Sequence, residues 1–262
     1  MPAPILLLPI VTRLHNIEMS KIIALFVGFL AFSMSSVYAQ SAEEQGTVVD
    51  ETTLDDSTAS ADEILETIPS QATWVLVEGM IDNGLVHYID RAIAQAEDRG
   101  DDVIVFELDT FGGLVDAADK IRQSILDADI RTIAFINKNA ASAGALISYA
   151  CNEIVMAEGA SIGAATVVEG QSGEKASEKM QSYFRGLMRS TAEANGRDPQ
   201  IAEAMVDESI EVEGIIEAGK LLTLSASEAL EFGVADDVVD NKTAMLAKLS
   251  IEEEAIVETS QS

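Results

Sequence analysis

The chain has 262 residues, of which 48% are hydrophobic, and this is enough for one sizeable core or two small ones. Its formal net charge of −29 argues against a nucleic-acid-binding protein and against docking by charge onto an anionic membrane surface. Cys151 is the only cysteine, which excludes an intrachain disulfide and a cluster of thiolate metal ligands.

Residues 1–39 have the pattern of a targeting segment. Lys21 precedes the apolar run Ile22–Met34, and small residues then lead to a signal-peptidase cut after Ala39. A start at the second methionine would leave residues 1–18 as an upstream extension. A retained membrane anchor is the alternative, although the apolar run is short for a transmembrane helix. We therefore expect an exported protein, either periplasmic or membrane-associated on the outer side of the cytoplasmic membrane.

Two acidic stretches flank the predicted domain. Residues 40–71 are rich in Asp, Glu, Ser and Thr and nearly free of aromatic residues, which is typical of a disordered linker. Residues 243–262 form an acidic tail, in which we expect at most one frayed helix. The sequence predicts one globular domain, residues 72–242, between them.

Strands and helices alternate in the first half of this domain. The predicted order is strand Trp74–Gly79, helix Val86–Ala96, strand Val103–Leu108, helix Leu114–Leu126, strand Thr132–Ile136, a helix from Ser142, and strand Glu153–Met156. This spacing indicates an α/β fold with a largely parallel sheet of repeated units flanked by helices.

The second half is less regular. A polar loop at residues 170–175 precedes a long helix. The predicted elements are helices Ser177–Asn195, Pro199–Met205 and Ser227–Phe232, short strands near Ile210–Val212 and Leu221–Leu222, and a closing segment Val234–Val239.

Ser142 follows the third predicted strand and stands in a run of small residues, Asn139–Tyr149, that becomes helical. A tight turn from strand to helix would place it at the first helical turn. Free N–H groups and the positive end of the helix dipole can stabilise a developing anion there. A helix N-cap, or close helix packing, explains the same serine without any chemistry.

Gly112 and Gly113 occupy the preceding strand-to-helix junction. Isolated, this pair would indicate no more than a tight turn. In parallel α/β sheets, however, the carboxyl ends of neighbouring strands face one crevice. The N–H groups of Gly113 and Ala143 could then converge on one carbonyl oxygen beside Ser142 Oγ, which is the geometry of an oxyanion hole.

A nucleophilic serine needs a base. His15 lies in the targeting segment, and His87 lies in the first predicted helix, far along the chain from both loops. Lysine is the other side chain that serves serine as a base, provided that burial lowers its pKa. Lys179 opens the long helix and is followed by apolar residues that include Met180 and Phe184. A solvated surface charge is the alternative for any single lysine.

Several motifs occur in the order found in one protein family. They are Asp109-Thr110-Phe111-Gly112-Gly113, Ala141-Ser142-Ala143-Gly144-Ala145, Ser161-Ile162-Gly163-Ala164 and Lys179-Met180-Gln181-Ser182-Tyr183. The chain therefore resembles the N-terminal protease domain of the NfeD family over about residues 72–242. Members are membrane-associated serine proteases of the Clp protease/crotonase fold, similar also to signal peptide peptidase A.

The resemblance implies a catalytic dyad, with Ser142 as nucleophile and Lys179 as base, and an oxyanion hole formed by Gly113 and Ala143. It also implies a substrate groove along Phe111, Gly112 and Gly144, and it implies neither a cofactor nor a metal. The implied substrates are apolar peptide segments, notably of stomatin-like membrane proteins, and the implied assembly is a homodimer or a higher homo-oligomer.

Two features depart from the family. Phe111 stands where the family usually has proline, and the sequence ends before the transmembrane helices and small β-barrel of long members. A catalytically silent scaffold that binds a stomatin-like partner through the same groove is the alternative function. A crotonase-type acyl-CoA enzyme is disfavoured, because coenzyme A chemistry is cytosolic and no suitable pair of carboxylates stands at the glycine loops.

Overall fold

A computed structural model describes residues 71–170, 173–252 and 255–259. The predicted targeting segment, and the predicted linker apart from Gln71, lie outside these residues. The strands are β1 Ala72–Ile81, β2 Val103–Gly113, β3 Arg131–Ala141, β4 Glu153–Ala157, β5 Ser161–Gly163, β6 Val168–Glu169, β7 Glu174–Lys175, β8 Thr223–Ser225, β9 Asp237–Val239 and β10 Ile256–Thr259. The helices are α1 Asn83–Arg99, α2 Val115–Leu126, α3 Ala143–Ala150, α4 Glu178–Ala194, α5 Pro199–Ala204, α6 Ala226–Glu231 and α7 Lys242–Leu249.

β-branched and aromatic residues make β1, β2 and β3 the centre of an eight-stranded sheet. Its main path is β10-β1-β2-β3-β4-β9, and every pair along this path is parallel. The second half of β3 leaves β4 and pairs with β5, which pairs antiparallel with β8. The predicted α/β class with a largely parallel sheet is therefore confirmed.

Helices cover the sheet with apolar stripes at helical spacing. Helix α1 buries residues such as Ile89 and Ile93. Asp82 caps its start, since the Asp82 side chain accepts hydrogen bonds from two backbone N–H groups, and Gly100 caps its end in the left-handed conformation. Every residue of α3 is buried, because this helix packs against β2, β3, α2 and α4. The helix that follows Ser142 is therefore held from all sides.

The structure beyond residue 242 differs from the acidic tail predicted there. The predicted acidic tail contains α7 and the strand β10, which pairs with β1 from Ala72–Ile256 to Val75–Thr259. Strand β10 covers an edge that would otherwise expose unpaired backbone groups. The folded domain thus includes more of the tail than its composition indicated.

Two smaller differences concern short strands. Residues 210–212 form a single bridge, Val212 to Ile216, and the strand expected at residues 221–222 lies at Thr223–Ser225, where it meets β5. The polar loop predicted at residues 170–175 is flanked by the two-residue strands β6 and β7, which pair antiparallel. Within the described ranges, no helix combines the length and apolar character needed to cross a bilayer.

Candidate active site

Ser142 forms the turn between β3 and α3 in a strained backbone conformation, with φ 56° and ψ −119°. Its N–H donates to Gly163 O at 3.1 Å, and its carbonyl accepts from Ala145 N–H at 3.0 Å. Non-glycine residues at positive φ cost about 1–3 kcal/mol and persist where the surrounding structure holds them, often at active sites. A serine on a strained turn from strand to helix is the arrangement of a nucleophile elbow.

Ser142 stands at the N-cap position of α3, but its side chain accepts no capping hydrogen bond, so side-chain capping does not account for this serine. The residue is half-buried, and its hydroxyl has no hydrogen bond with the residues that the structure describes. A partly accessible hydroxyl that is not used structurally is available to react with a bound group.

Gly112 lies directly against Ser142. A Cβ added to Gly112 would stand 2.6 Å from Ser142 Cβ, 3.0 Å from Ser142 Oγ and 3.2 Å from Ala143 N. The φ of Gly112 is +104°, which side chains also disfavour. The structure therefore brings three predicted site residues together: Gly112, Ser142 and Ala143.

Gly113 is required by the neighbouring strand. A Cβ at this position would lie 2.1 Å from Ile81 O, because β1 and β2 pair Ile81 with Gly113. Each glycine of the pair is thus needed for a different close approach, the first toward the serine and the second toward β1. The residue itself is exposed at the end of β2.

Gly144 differs from its predicted position in the substrate groove. It is buried in α3, and an added Cβ would meet Thr110 Cγ2 at 2.7 Å. Phe111, by contrast, is 80% exposed, and Met80 and Leu114 are exposed at 66% and 45%. Met80 pairs in register with Gly112, so these apolar side chains form a surface at the carboxyl ends of β1 and β2.

Lys179 is the second residue of α4 and is exposed, so the burial that the sequence analysis required of a lysine base is not observed. It forms no hydrogen bond with Ser142. The physical reason lies in the cost of desolvation, because an amine without a partner stays in water. Phe184, further along the helix, fills the interior instead.

Lys179 nevertheless differs from the other lysines. It has no ion pair or hydrogen bond with a described residue. The described lysines that do pair with a carboxylate are Lys120, Lys138, Lys175, Lys220, Lys242 and Lys248. The hydrogen bond to Asp109, for example, raises the pKa of Lys138 and keeps its amine charged.

The other candidate groups are not at the serine. His87 lines a cavity of about 680 Å³ between α1 and α2, whose lining includes none of the predicted site residues. Cys151 is fully buried, and burial raises the pKa of its thiol to about 12, which makes it a poor nucleophile. Among the described residues, no group of three or more His, Cys, Asp or Glu side chains could hold a metal ion.

Sequence reasoning missed Thr110. Its hydroxyl accepts a hydrogen bond from Gly112 N–H at 3.0 Å and donates one to Gly79 O at 2.5 Å. The residue stood inside the quoted glycine motif, yet nothing in the sequence indicated that its side chain would turn toward the glycine loop. That contact depends on irregular strand pairing.

The largely parallel sheet flanked by helices, with a serine turn beside paired glycines, defines the class, an α/β domain with a candidate nucleophile at a strand-to-helix junction. The chain belongs to the family of the NfeD1b N-terminal domain, whose sequence model matches residues 71–259. Membrane protein NfeD1b of Bacillus subtilis (strain 168) is 37% identical over 188 residues, which cover 71% of this chain and 43% of that protein. Membrane-bound protease PH1510 of Pyrococcus horikoshii is 34% identical over 179 residues, which cover 66% of this chain and 38% of that protein. The chain thus spans less than half the length of either relative.

Solved structures of the 1510-N membrane-bound stomatin-specific protease share the fold. A serine-to-alanine mutant of that protease has a TM-score of 0.62 and 27% identity, covering 74% of this chain and 99% of its own. A lysine-to-alanine mutant in complex with a substrate peptide has a TM-score of 0.63 and 27% identity, with coverages of 74% and 94%. The resemblance to the NfeD family inferred from the motifs is confirmed.

Proposed function

We propose that this chain is a serine endopeptidase that uses Ser142 to cleave apolar peptide segments. The observation that carries the proposal is the strained turn at Ser142, whose free hydroxyl faces a glycine loop. Ser250 has the same φ of 56°, but it caps the end of α7 in the ordinary left-handed conformation with ψ 35°, whereas ψ −119° takes Ser142 outside that region into a conformation that is costlier to maintain. The relatives named as proteases support the same reaction class.

Ser142 Oγ attacks the scissile carbonyl, and the oxygen of that carbonyl gains negative charge. Ala143 is the first residue of α3, so its N–H has no partner within the helix and points along the positive end of the dipole. Gly113 N–H is the proposed second donor. Removing one such donor typically lowers kcat by about 10²–10³-fold.

Lys179 is the proposed base. It takes the proton of Ser142 Oγ and passes it to the leaving amine, after which water hydrolyses the acyl-enzyme. Lys179 is exposed in the free protein, so the proposal requires a bound apolar peptide to cover its amine and remove it from water. Lys179 has no ion pair with a described residue, which favours it over the paired lysines, and a lysine mutant of the related protease was captured with a substrate peptide.

The exposed apolar side chains of Met80, Phe111 and Leu114 favour an apolar substrate. The name of the related protease points to stomatin-like membrane proteins as the class of substrate or partner. Both relatives are named as membrane proteins, which supports membrane association. Export to the outer side of the cytoplasmic membrane is proposed from the targeting pattern of residues 1–39 alone. A homodimer or a higher homo-oligomer stays part of the proposal.

A catalytically silent scaffold is the second candidate. Two observations favour it: Lys179 forms no hydrogen bond with Ser142, and the name of the NfeD1b relative carries no enzymatic activity. Such a scaffold would bind the apolar peptide at the same surface without hydrolysing it. Its binding would be unchanged in Ser142→Ala.

The test measures hydrolysis of an internally quenched peptide with a core of apolar residues. Ser142→Ala and Lys179→Ala should each lower kcat by about 10³-fold or more, and the double variant should be no worse, because the two residues act as one unit. His87→Ala is the matched control and should retain full activity. Activity that survives Lys179→Ala but is lost in His87→Ala would reassign the base, and peptide binding without hydrolysis by the unaltered chain would establish the scaffold.

A further inference from the structure

Thr110 is completely buried on β2, two residues before Gly112. Its hydroxyl is used twice, since it donates to Gly79 O at 2.5 Å and accepts from Gly112 N–H at 3.0 Å. One side chain thereby connects the end of β1 with the glycine loop. Buried hydroxyl groups that make both bonds are costly to disturb, because each partner would be left unsatisfied.

The backbone around Thr110 is irregular and needs this support. The register of β1 on β2 shifts between Glu78 and Met80, and that of β2 on β3 shifts between Leu108 and Thr110. Ladder hydrogen bonds are interrupted at such shifts, so the strands alone do not fix the chain that follows. The threonine hydroxyl supplies bonds at this point.

The methyl group of Thr110 makes a second connection. Gly144, near the start of α3, has no side chain, and an added Cβ would lie 2.7 Å from Thr110 Cγ2. The methyl group therefore occupies the space left by this glycine and holds the glycine loop against the helix that begins after Ser142. The distance between the loop and Ser142 is set through Thr110.

We propose that Thr110 is a positioning residue for the oxyanion hole, and the inference rests on the function proposed for Ser142. The hydroxyl accepts the hydrogen bond of Gly112 N–H, so that Gly112 cannot donate to the substrate. Gly113 N–H is then the donor that the glycine pair offers to the developing oxyanion. The substrate does not touch Thr110. A displacement of about 1 Å at such a donor can lower the rate by about 10²-fold.

Two substitutions distinguish the effect of the Thr110 hydroxyl from the effect of its methyl group. Thr110→Val keeps the branched shape against Gly144 but removes both hydrogen bonds, and it should lower kcat for the quenched apolar peptide by about 10–100-fold with little change in KM. Thr110→Ser keeps the hydroxyl and should retain kcat within about 3-fold, as rescue by the conservative variant. Thr110→Ala serves in the same assay if the valine variant does not fold.

Thr132→Val is the matched control for lost stability. Thr132 is buried near the start of β3, at the end away from the Ser142 turn. Its hydroxyl also donates one hydrogen bond and accepts one, both with Asn152 at 3.0 Å. This variant should lower the melting temperature as Thr110→Val does but leave kcat unchanged. An equal loss of kcat in both valine variants would mean that Thr110 acts only through stability, and the inference would be overturned.

Hydrogen exchange of the Gly112 amide gives a readout that does not depend on hydrolysis. Exchange should be accelerated in Thr110→Val and unchanged in Thr110→Ser and Thr132→Val. If the unaltered chain shows no cleavage that depends on Ser142, the proposed function fails, while the exchange rates still decide whether Thr110 holds the loop. Slow exchange at Gly112 in Thr110→Val, or kcat retained within about 3-fold in that variant, would overturn the inference.

Discussion

Ser142 and Tyr149 belong to the same turn-and-helix segment, and each is held in an unfavourable state. Ser142 carries backbone strain at positive φ. The hydroxyl of Tyr149 is buried without a hydrogen-bond partner among the described residues. The first cost has a proposed use in catalysis, because strain at a serine turn presents the hydroxyl to substrate. The second cost has no evident use.

Tyr149→Phe should therefore stabilise the protein. The substitution keeps the ring in the core and removes an unsatisfied polar group, whose burial costs about 1–3 kcal/mol. We expect the free energy of unfolding, measured by urea denaturation, to rise by about 1 kcal/mol after allowance for partial relaxation. An unchanged or lower value would show that the hydroxyl finds a partner, such as water, in solution.

The pH dependence of this variant has a defined sign. Burial raises the pKa of Tyr149 well above its ordinary value of 10.0, so the folded state keeps the proton while the unfolded chain loses it above pH 10. The stability contribution of the protonated group is thus present below pH 10 and is lost as the pH rises further. The advantage of Tyr149→Phe should grow above pH 10 in the same urea titrations.

At the scale of elements, the candidate site depends on how closely β2 approaches α3. Gly112 and Gly144 both lie at this contact, and each lacks the side chain that would separate the two elements. The sequence identified the serine turn and the glycine loop, because both stand at strand-to-helix junctions of a predicted parallel sheet. It missed Thr110 and the exposure of Lys179, since tertiary packing rather than local pattern fixes both.

Gly112→Ala tests this close approach against the strain of positive φ alone. Gly159 also has a positive φ, +81°, but a Cβ there would meet nothing within 4 Å. Gly159→Ala should cost about 1–2 kcal/mol and keep peptide hydrolysis, since only backbone strain is added. Gly112→Ala should cost about 1–3 kcal/mol more from overpacking against Ser142 and should abolish hydrolysis.

Urea denaturation and the quenched-peptide assay check both variants together. The informative quantity is the difference between the two alanine variants, because the strain of positive φ is common to them. Equal stabilities with full activity in both would mean that the loop can move away from Ser142 without consequence, and the proposed geometry of the site would then be wrong.

At the scale of the whole molecule, the order of strands explains why the edge strand β10 was not predicted from the sequence. The alternation of strands and helices predicted the central sheet, and the structure confirms it. Strand β10 has only four residues, follows the acidic run Glu252–Glu254 in the sequence and offers just Ile256 and Val257 as apolar residues. Its partner, β1, is the first strand of the described chain, and pairing over such a separation leaves no local pattern.

Removal of β10 should destabilise the whole domain. Strand β10 contributes two half-buried apolar side chains, and Glu258 forms an ion pair at 3.0 Å with Lys242, whose amine lies 4.3 Å from the centre of the Trp74 ring. Half-burial of two such side chains contributes about 2 kcal/mol to the free energy of unfolding, and the ion pair between Lys242 and Glu258 adds little because Glu258 is exposed. A chain ending at Glu252 should therefore unfold at lower urea concentration and should aggregate through the exposed edge of β1.

A chain ending at Thr259 is the matched control for this truncation, because it keeps all four residues that pair with β1. It should match the unaltered chain in urea midpoint and in light scattering, whereas the chain ending at Glu252 should differ in both. The expected loss is confined to stability, since two strands, β1 and β2, separate β10 from β3 and its serine turn. Equal midpoints for the two truncated chains would mean that β10 does not hold the edge of the sheet, and the folded domain would then end near residue 250, close to the boundary that composition alone indicated.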